Sequence, residues 1–214
     1  SKSFSKNSLK KISNSLSSEQ KRFDIELSGG DTVFSKTSSF TCCVIGFSNK
    51  IIKRNNAKID DDIYITGYLG DSYLGLQILK KKISSSNPFK KYFISKFYMP
   101  SINLKMVNFL KKFANTSIDI SDGLLIDLKK MTRQQKCGFS IKIDDIKISA
   151  QLKKFLSRNK RFKIENTIFN GDDYEIIFTS NKKNRSLINS YSKNKNLKIQ
   201  RIGEILKNTK IPVF

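Results

Sequence analysis

Wherever an apolar run of this sequence ends, an aspartate tends to stand close to a glycine. The chain reads Leu27-Ser28-Gly29-Gly30-Asp31, then Gly67-Tyr68-Leu69-Gly70-Asp71, then Asp119-Ile120-Ser121-Asp122-Gly123, then Gly171-Asp172-Asp173-Tyr174-Glu175. With Asp60-Asp61-Asp62, these stretches hold ten of only 18 acidic residues, against 41 Lys and Arg. Apolar residues between them form clusters of strand or helix length, so the sequence is that of a folded domain built from short elements and tight turns. No window reaches the roughly 18 consecutive apolar residues that a membrane span needs. The start, Ser1 to Asn14, carries basic residues but no apolar core of a signal peptide.

The elements follow from periodicity. Apolar residues at 9, 12 and 16 predict a helix over 8–16, and 23–27 alternates as a half-buried strand. Residues 37–47 are β-rich, and 48–58 form a polar link. A strand at 63–66 leads into an amphipathic helix from Asp71 to Leu79, and Pro88 suits the first turn of another. Helices are expected at 103–114, 122–136, 149–158 and 186–191, and strands at 117–120, 139–143, 174–179, 197–205 and 211–214. Positions 124, 125, 128 and 131 give the helix at 122–136 one apolar stripe. Strands and helices mix without a strict βαβ period, which makes the class α+β.

Composition excludes several chemistries. With no histidine in 214 residues, Ser-His-Asp and Cys-His catalysis and imidazole metal sites are ruled out. Cys42, Cys43 and Cys137 are odd in number and lack metal-ligand spacing; they read as reduced, buried small residues of a cytoplasmic protein. The formal charge of +23 invites a nucleic-acid reading. Its source is 34 Lys spread along the chain against 7 Arg, however, and base and phosphate recognition favours arginine forks. Solvated lysine surface accounts better for the charge.

The acids allow two explanations. Mg²⁺ is commonly held by one or two carboxylates together with substrate phosphates, and glycine lets main-chain N–H groups approach phosphate oxygens. The plainer explanation is local. Asp60 to Asp62 reads as a solvated turn and Asp71 as a helix cap. Gly29-Gly30-Asp31 and Asp172-Asp173 read as turns beside strands. Ser121 or Asp122 would cap the helix at 122–136, which leaves Asp119 unexplained. Two carboxylates at one helix start repel unless a cation lies between them. From the residues themselves, metal site and cap both stay open.

Taken together and in order, the motifs resemble a known family. Leu27 to Thr32, Arg54-Asn55-Asn56-Ala57-Lys58, Asp62 to Gly67 with Gly70-Asp71-Ser72, Ile118 to Leu124, and Gly171 to Glu175 with Phe178-Thr179 are similar to thiamine-monophosphate kinases. That family lies within the aminoimidazole-ribonucleotide-synthetase-like superfamily. The resemblance implies a two-domain α+β fold, with residues 1–50 as the tail of the N-terminal ATP-binding domain and 51–214 as a nearly complete, α/β-layered C-terminal domain. It implies ATP- and Mg²⁺-dependent phosphorylation of thiamine monophosphate to thiamine diphosphate, in the cytoplasm, by a protein that is a homodimer at full length. Residue by residue, Gly30, Asp31, Arg54 and Ser121 match ATP-binding positions. Asp31, Asp119 and Asp122 match metal ligands, and Asp172 falls where the family has a substrate-contacting Glu. The chain departs from the family pattern at Met99-Pro100-Ser101-Ile102, where a Pro-x-Pro-Arg-like segment is reduced. It also lacks an N-terminal portion and a C-terminal aromatic, which reads as truncation at both ends. The alternatives are a non-catalytic fragment of this fold and, in a different class, a basic nucleic-acid-binding module.

Overall fold

A computed structural model of the protein describes residues 5–33, 35–84 and 87–207, and the strand expected at 211–214 lies outside them. The chain divides between Asn49 and Lys50 into two units.

In the first unit, helix α1 (Lys6–Phe23) starts at Ser5, whose hydroxyl accepts from the Ser8 N–H at 3.1 Å. It ends at Asp24, in the left-handed conformation with φ 52°. The helix therefore runs past the expected 8–16 and takes in the start of the strand expected at 23–27. Neither 24–27 nor the β-rich 37–47 forms a strand. Alternation makes a strand only where a neighbouring strand completes its hydrogen bonds, and the sheet's pairings all lie in the second unit. Ile25, Leu27, Phe40 and Val44 are exposed, and so are Cys42 and Cys43, contrary to the expectation of buried thiols.

The second unit is built on a five-stranded, wholly antiparallel sheet in the order β2-β4-β1-β5-β3. Its strands are β1 (Asp62–Thr66), β2 (Thr116–Asp119), β3 (Cys137–Ile141), β4 (Ile176–Ser180) and β5 (Ile199–Lys207). The helices are α2 (Asp71–Leu79), α3 (Asn87–Tyr98), α4 (Lys105–Phe113), α5 (Leu124–Arg133), α6 (Ala150–Arg158), α7 (Glu165–Ile168) and α8 (Arg185–Lys195). Every element expected between residues 61 and 207 appears within a few residues. Ile143 falls in a 3₁₀ turn beyond β3, and the short α7 was not anticipated.

The sheet is covered on both faces. On one, Ile63, Ile65, Ile177 and Ile202 pack with Leu124, Leu128 and Met131 of α5. On the other, Tyr64 and Phe178, stacked with centroids 5.0 Å apart, meet Phe109 and Phe113 of α4 and Ile188 of α8. Each such side chain fully withdrawn from water contributes roughly 1.5–3 kcal/mol. A third cluster joins Leu74 of α2, Phe93 of α3 and Phe155 of α6. The unit is thus a layered α+β domain, as the sequence implies.

Central β1 is buried along its whole length, and burial of Asp61 and Asp62 at its start overturns the solvated-turn reading there, whereas Asp60 stands exposed in a turn. Asp61 and Asp62 are 1% and 0% exposed. The Asp61 carboxylate accepts from Asn115 Nδ2 at 2.9 and 3.0 Å and from Thr179 Oγ1 at 3.0 Å. Arg185 clasps Asp62 with two bonds of 2.6 Å, and Arg201 adds a third at 3.3 Å. Burial pushes the Asp62 carboxyl up, but the Arg185 fork, Arg201 and the Tyr64 hydroxyl together bring it below the usual aspartate range. Buried charge persists here because it is paired. No helix of the described residues is long and apolar enough to cross a membrane.

Candidate active site

The sheet carries two of the glycine–aspartate stretches to the same place. In β2–β4 pairing, Asp119 lies opposite Ile176. Beyond that pair the strands keep hydrogen bonding as loops: Ile120 N–H donates to the Glu175 carbonyl at 2.7 Å and Tyr174 N–H to the Ile120 carbonyl at 2.9 Å. Asp172 N–H then donates to the Ser121 carbonyl, also at 2.9 Å. Two glycines make the approach possible. A Cβ on Gly171 would stand 2.0 Å from the Ser121 carbonyl oxygen, and one on Gly123, where φ is +126°, would stand 2.3 Å from that of Phe169. Asp172 and Tyr174 adopt left-handed backbone with φ 68° and 52°, at a cost of about 1–3 kcal/mol each. The main-chain bonds to residues 120 and 121 hold that turn in place.

Four expected site residues therefore share one junction. Asp119 and Asp122 are exposed at its rim, with Ser121 and Asp172 partly covered beside them. Arg54, in the same unit, sits in an exposed turn at the other end of β2. There the Lys53 carbonyl accepts from Thr116 Oγ1 at 2.5 Å, and Asn56 Nδ2 donates to the Asn115 carbonyl at 3.2 Å. A four-residue strand, about 10 Å long, separates this turn from Asp119. Gly30 and Asp31 belong to the first unit, exposed on a segment that is neither helix nor strand, where Asp31 Oδ1 accepts from the Thr32 N–H at 2.7 Å.

Neither Ser121 nor Asp122 caps α5. The N-cap is Gly123, which has no side-chain cap. The acceptor is Asp127, one turn inside the helix and fully buried: its Oδ2 accepts from the N–H groups of Ser121, Asp122 and Gly123 at 3.1, 3.0 and 3.1 Å. Lys130 Nζ donates to Asp127 Oδ1 at 2.7 Å and also to the Asp122 carboxylate. Between Asp122 and Asp127 the neutralising cation is thus Lys130. The only sequence signal was an acid interrupting the apolar run at 124–128.

Asp71 does not cap α2 either. Its oxygens accept from Ser149 Oγ at 2.7 Å and Tyr92 Oη at 2.8 Å. The start of α2 is held by Asp173 instead, whose two oxygens accept from the Gly70 N–H at 3.1 and 2.9 Å. Behind the junction, Asp71, Asp173 and Glu175 border a cavity of about 400 Å³ with Lys96 and Lys198 and an apolar wall that includes Ile102 and Leu104. Burial raises all three carboxyls above their ordinary range, Asp173 most. The charges of Asp71 and Glu175 add to the upward push on Asp173, while Lys96 and Lys198 temper the other two.

Mg²⁺ takes oxygen ligands in near-octahedral geometry and keeps several waters or phosphate oxygens. Asp119 and Asp122, exposed on one rim, suit such a partial site. Among the described residues no group of three or more His, Cys, Asp or Glu could hold a metal by itself. Substrate phosphates would have to complete the shell.

Known proteins resemble the chain over most of its length. No family model matches the chain. The thiamine-monophosphate kinase of Buchnera aphidicola (subspecies from Schizaphis graminum) is 38% identical over 204 residues, covering 92% of this chain and 61% of that protein. Among solved structures, the thiamine-monophosphate kinase of Stenotrophomonas maltophilia superposes with a TM-score of 0.66 at 25% identity, over 76% of this chain and 52% of that one. AaThiL, complexed with AMPPCP and TMP, superposes with a TM-score of 0.64 at 28% identity, over 76% and 50% of the two chains. The chain thus spans about half to three-fifths of the relatives it matches. Its class is the α+β fold of these phosphotransferases, present in part. Over the stretch it spans, the chain is similar to thiamine-monophosphate kinases.

Proposed function

We propose that the chain forms part or all of an enzyme that phosphorylates thiamine monophosphate to thiamine diphosphate with ATP and Mg²⁺. One observation carries this reading: the main-chain joining of residues 119–123 to 171–175, which gathers Asp119, Ser121, Asp122 and Asp172 at one rim. In the proposed reaction a phosphate oxygen of thiamine monophosphate attacks the γ-phosphorus of ATP. A new P–O bond forms, the bond to the β,γ-bridging oxygen breaks, and ADP leaves with that oxygen. The attacking oxygen is already ionised near neutral pH, so no general base is needed, which suits a chain without histidine. Positioning and charge neutralisation carry such transfers.

Asp119 and Asp122 would hold Mg²⁺, and Ser121 and Arg54 would meet ATP; in the first unit, Gly30 and Asp31 would be ATP-binding positions, with Asp31 a metal ligand as well. Bound Mg²⁺ supplies charge neutralisation between the two anionic reactants. Asp172 would contact thiamine monophosphate; it is one methylene shorter than the Glu expected there. The full-length protein is proposed to be a cytoplasmic homodimer that binds these small substrates rather than nucleic acid or membrane. The test is chromatographic detection of thiamine diphosphate from thiamine monophosphate, ATP and Mg²⁺, using this chain and its full-length gene product. Product from the full-length protein supports the reading; no product from either contradicts it.

The partial span favours a second reading, in which this chain keeps the fold but not a complete site. Calorimetric binding of Mg²⁺-ATP without turnover would distinguish it.

A further inference from the structure

The N–H groups at a helix start are a ready-made anion site. In this protein they are already taken. Three successive donors, at Ser121, Asp122 and Gly123, converge on a single atom, Oδ2 of Asp127. The Asp127 side chain is 1% exposed and its other oxygen is bonded to Lys130 at 2.7 Å. A phosphate could reach these N–H groups only by displacing a buried, fully bonded carboxylate. The loop can therefore offer a ligand only its side chains, Ser121 and Asp122, and their directions depend on the clamp beneath. Lys130 leans over the same clamp and occupies the Asp122 carboxylate.

We infer that Asp127 is the positioning residue of the 121–123 loop, and that Lys130 is the resting counter-ion of Asp122, displaced when a divalent cation with its nucleotide arrives. The part concerning the cation rests on the kinase reading; the clamp does not. Asp127 touches no substrate in this account and acts through the main chain of its neighbours. Lys130 competes for an oxygen that the cation would use. The two residues should thus move metal dependence in opposite directions, which a general loss of folded protein cannot do.

The experiment combines amide hydrogen exchange with Mg²⁺ titration of ATP binding, on unaltered protein and on Asp127→Ala, Asp127→Asn and Lys130→Met. In Asp127→Ala the amides of 121–123 should exchange roughly tenfold faster or more, relative to those of β1 and β4. The Mg²⁺ concentration for half-saturation should rise about 10–100-fold, the range seen when support behind a metal ligand is lost. KM for thiamine monophosphate should stay within about twofold in the same comparison. Asp127→Asn, which keeps one acceptor oxygen, should show the same changes to a smaller extent and guards against misfolding of the alanine variant. Lys130→Met should leave exchange at 121–123 unchanged and lower the half-saturating Mg²⁺. Unchanged exchange in both Asp127 variants overturns the clamp. Faster exchange with an unmoved Mg²⁺ half-saturation overturns the positioning role. Faster exchange when the unaltered full-length protein binds no Mg²⁺-ATP overturns the kinase reading instead, and leaves the clamp standing.

Discussion

The N–H of Asp172 donates to the carbonyl of Ser121 at 2.9 Å, joining two loops that lie about fifty residues apart in the chain. Through that bond and its neighbours at 120, 174 and 175, acids from two motifs come to one rim.

The junction leaves no room for a side chain at Gly171. In Gly171→Ala the added methyl would meet the Ser121 carbonyl at 2.0 Å, so the loops must part. We expect a loss of about 1–3 kcal/mol, read as a lower denaturant midpoint. Mg²⁺-ATP binding should weaken with it, because the same movement displaces Ser121.

Asp62 gives a prediction about stability alone. In Arg185→Leu the buried carboxylate keeps Arg201 and Tyr64 but loses its fork. The cost should fall near the low end of the ~3–5 kcal/mol seen when a buried pair is broken. The folded carboxyl titrates below its ordinary range. Its contribution is therefore full above the unfolded pKa and is lost as pH falls through the folded value. The acid limb of a stability–pH curve should be shallower in the variant than in the unaltered protein.

Asp173 should behave with the opposite sign. Its carboxyl is held well above the ordinary range, mainly by burial. Folding then favours the protonated form. The stabilisation is full below the unfolded value, about pH 4, and is lost as pH rises through the folded one. Asp173→Asn mimics the protonated group and can still accept from the Gly70 N–H. Unfolding followed from about pH 4 to 8 should therefore show a flatter decline in Asp173→Asn than in the unaltered protein.

Substrate recognition is probed at Asp172. Lengthening it to the residue expected at this place, as Asp172→Glu, should change KM for thiamine monophosphate severalfold while KM for ATP stays within about twofold. Steady-state kinetics with each substrate varied in turn would measure this. Equal shifts in both constants would place Asp172 outside the substrate site.

The sheet and its helices were legible because their signals are local. The short apolar runs within 63–66 and 174–179 and the stripe 124–128–131 need only neighbours in sequence to be read. The acids were misread because their partners are distant. Asp61 is buried by Asn115 and Thr179, Asp62 by Arg185, and Asp71 by Tyr92 and Ser149. A capping rule that searches within three or four residues found Ser121 and Asp122, whereas the acceptors are Asp127 for α5 and, from 103 positions away, Asp173 for α2. The segments 23–27 and 37–47 carry strand-like patterns without strand structure because a strand exists only by pairing.

The central claim is that the rim at Asp119 and Asp122 is where Mg²⁺ and the nucleotide phosphates meet. The most direct measurement is the rate of thiamine diphosphate formation by the full-length protein carrying Asp119→Asn or Asp122→Asn, with folding checked by unfolding midpoints. The account predicts a fall on the order of 10²-fold or more in each, accompanied by weaker dependence on Mg²⁺. Full activity with unaltered Mg²⁺ dependence in either variant would contradict it.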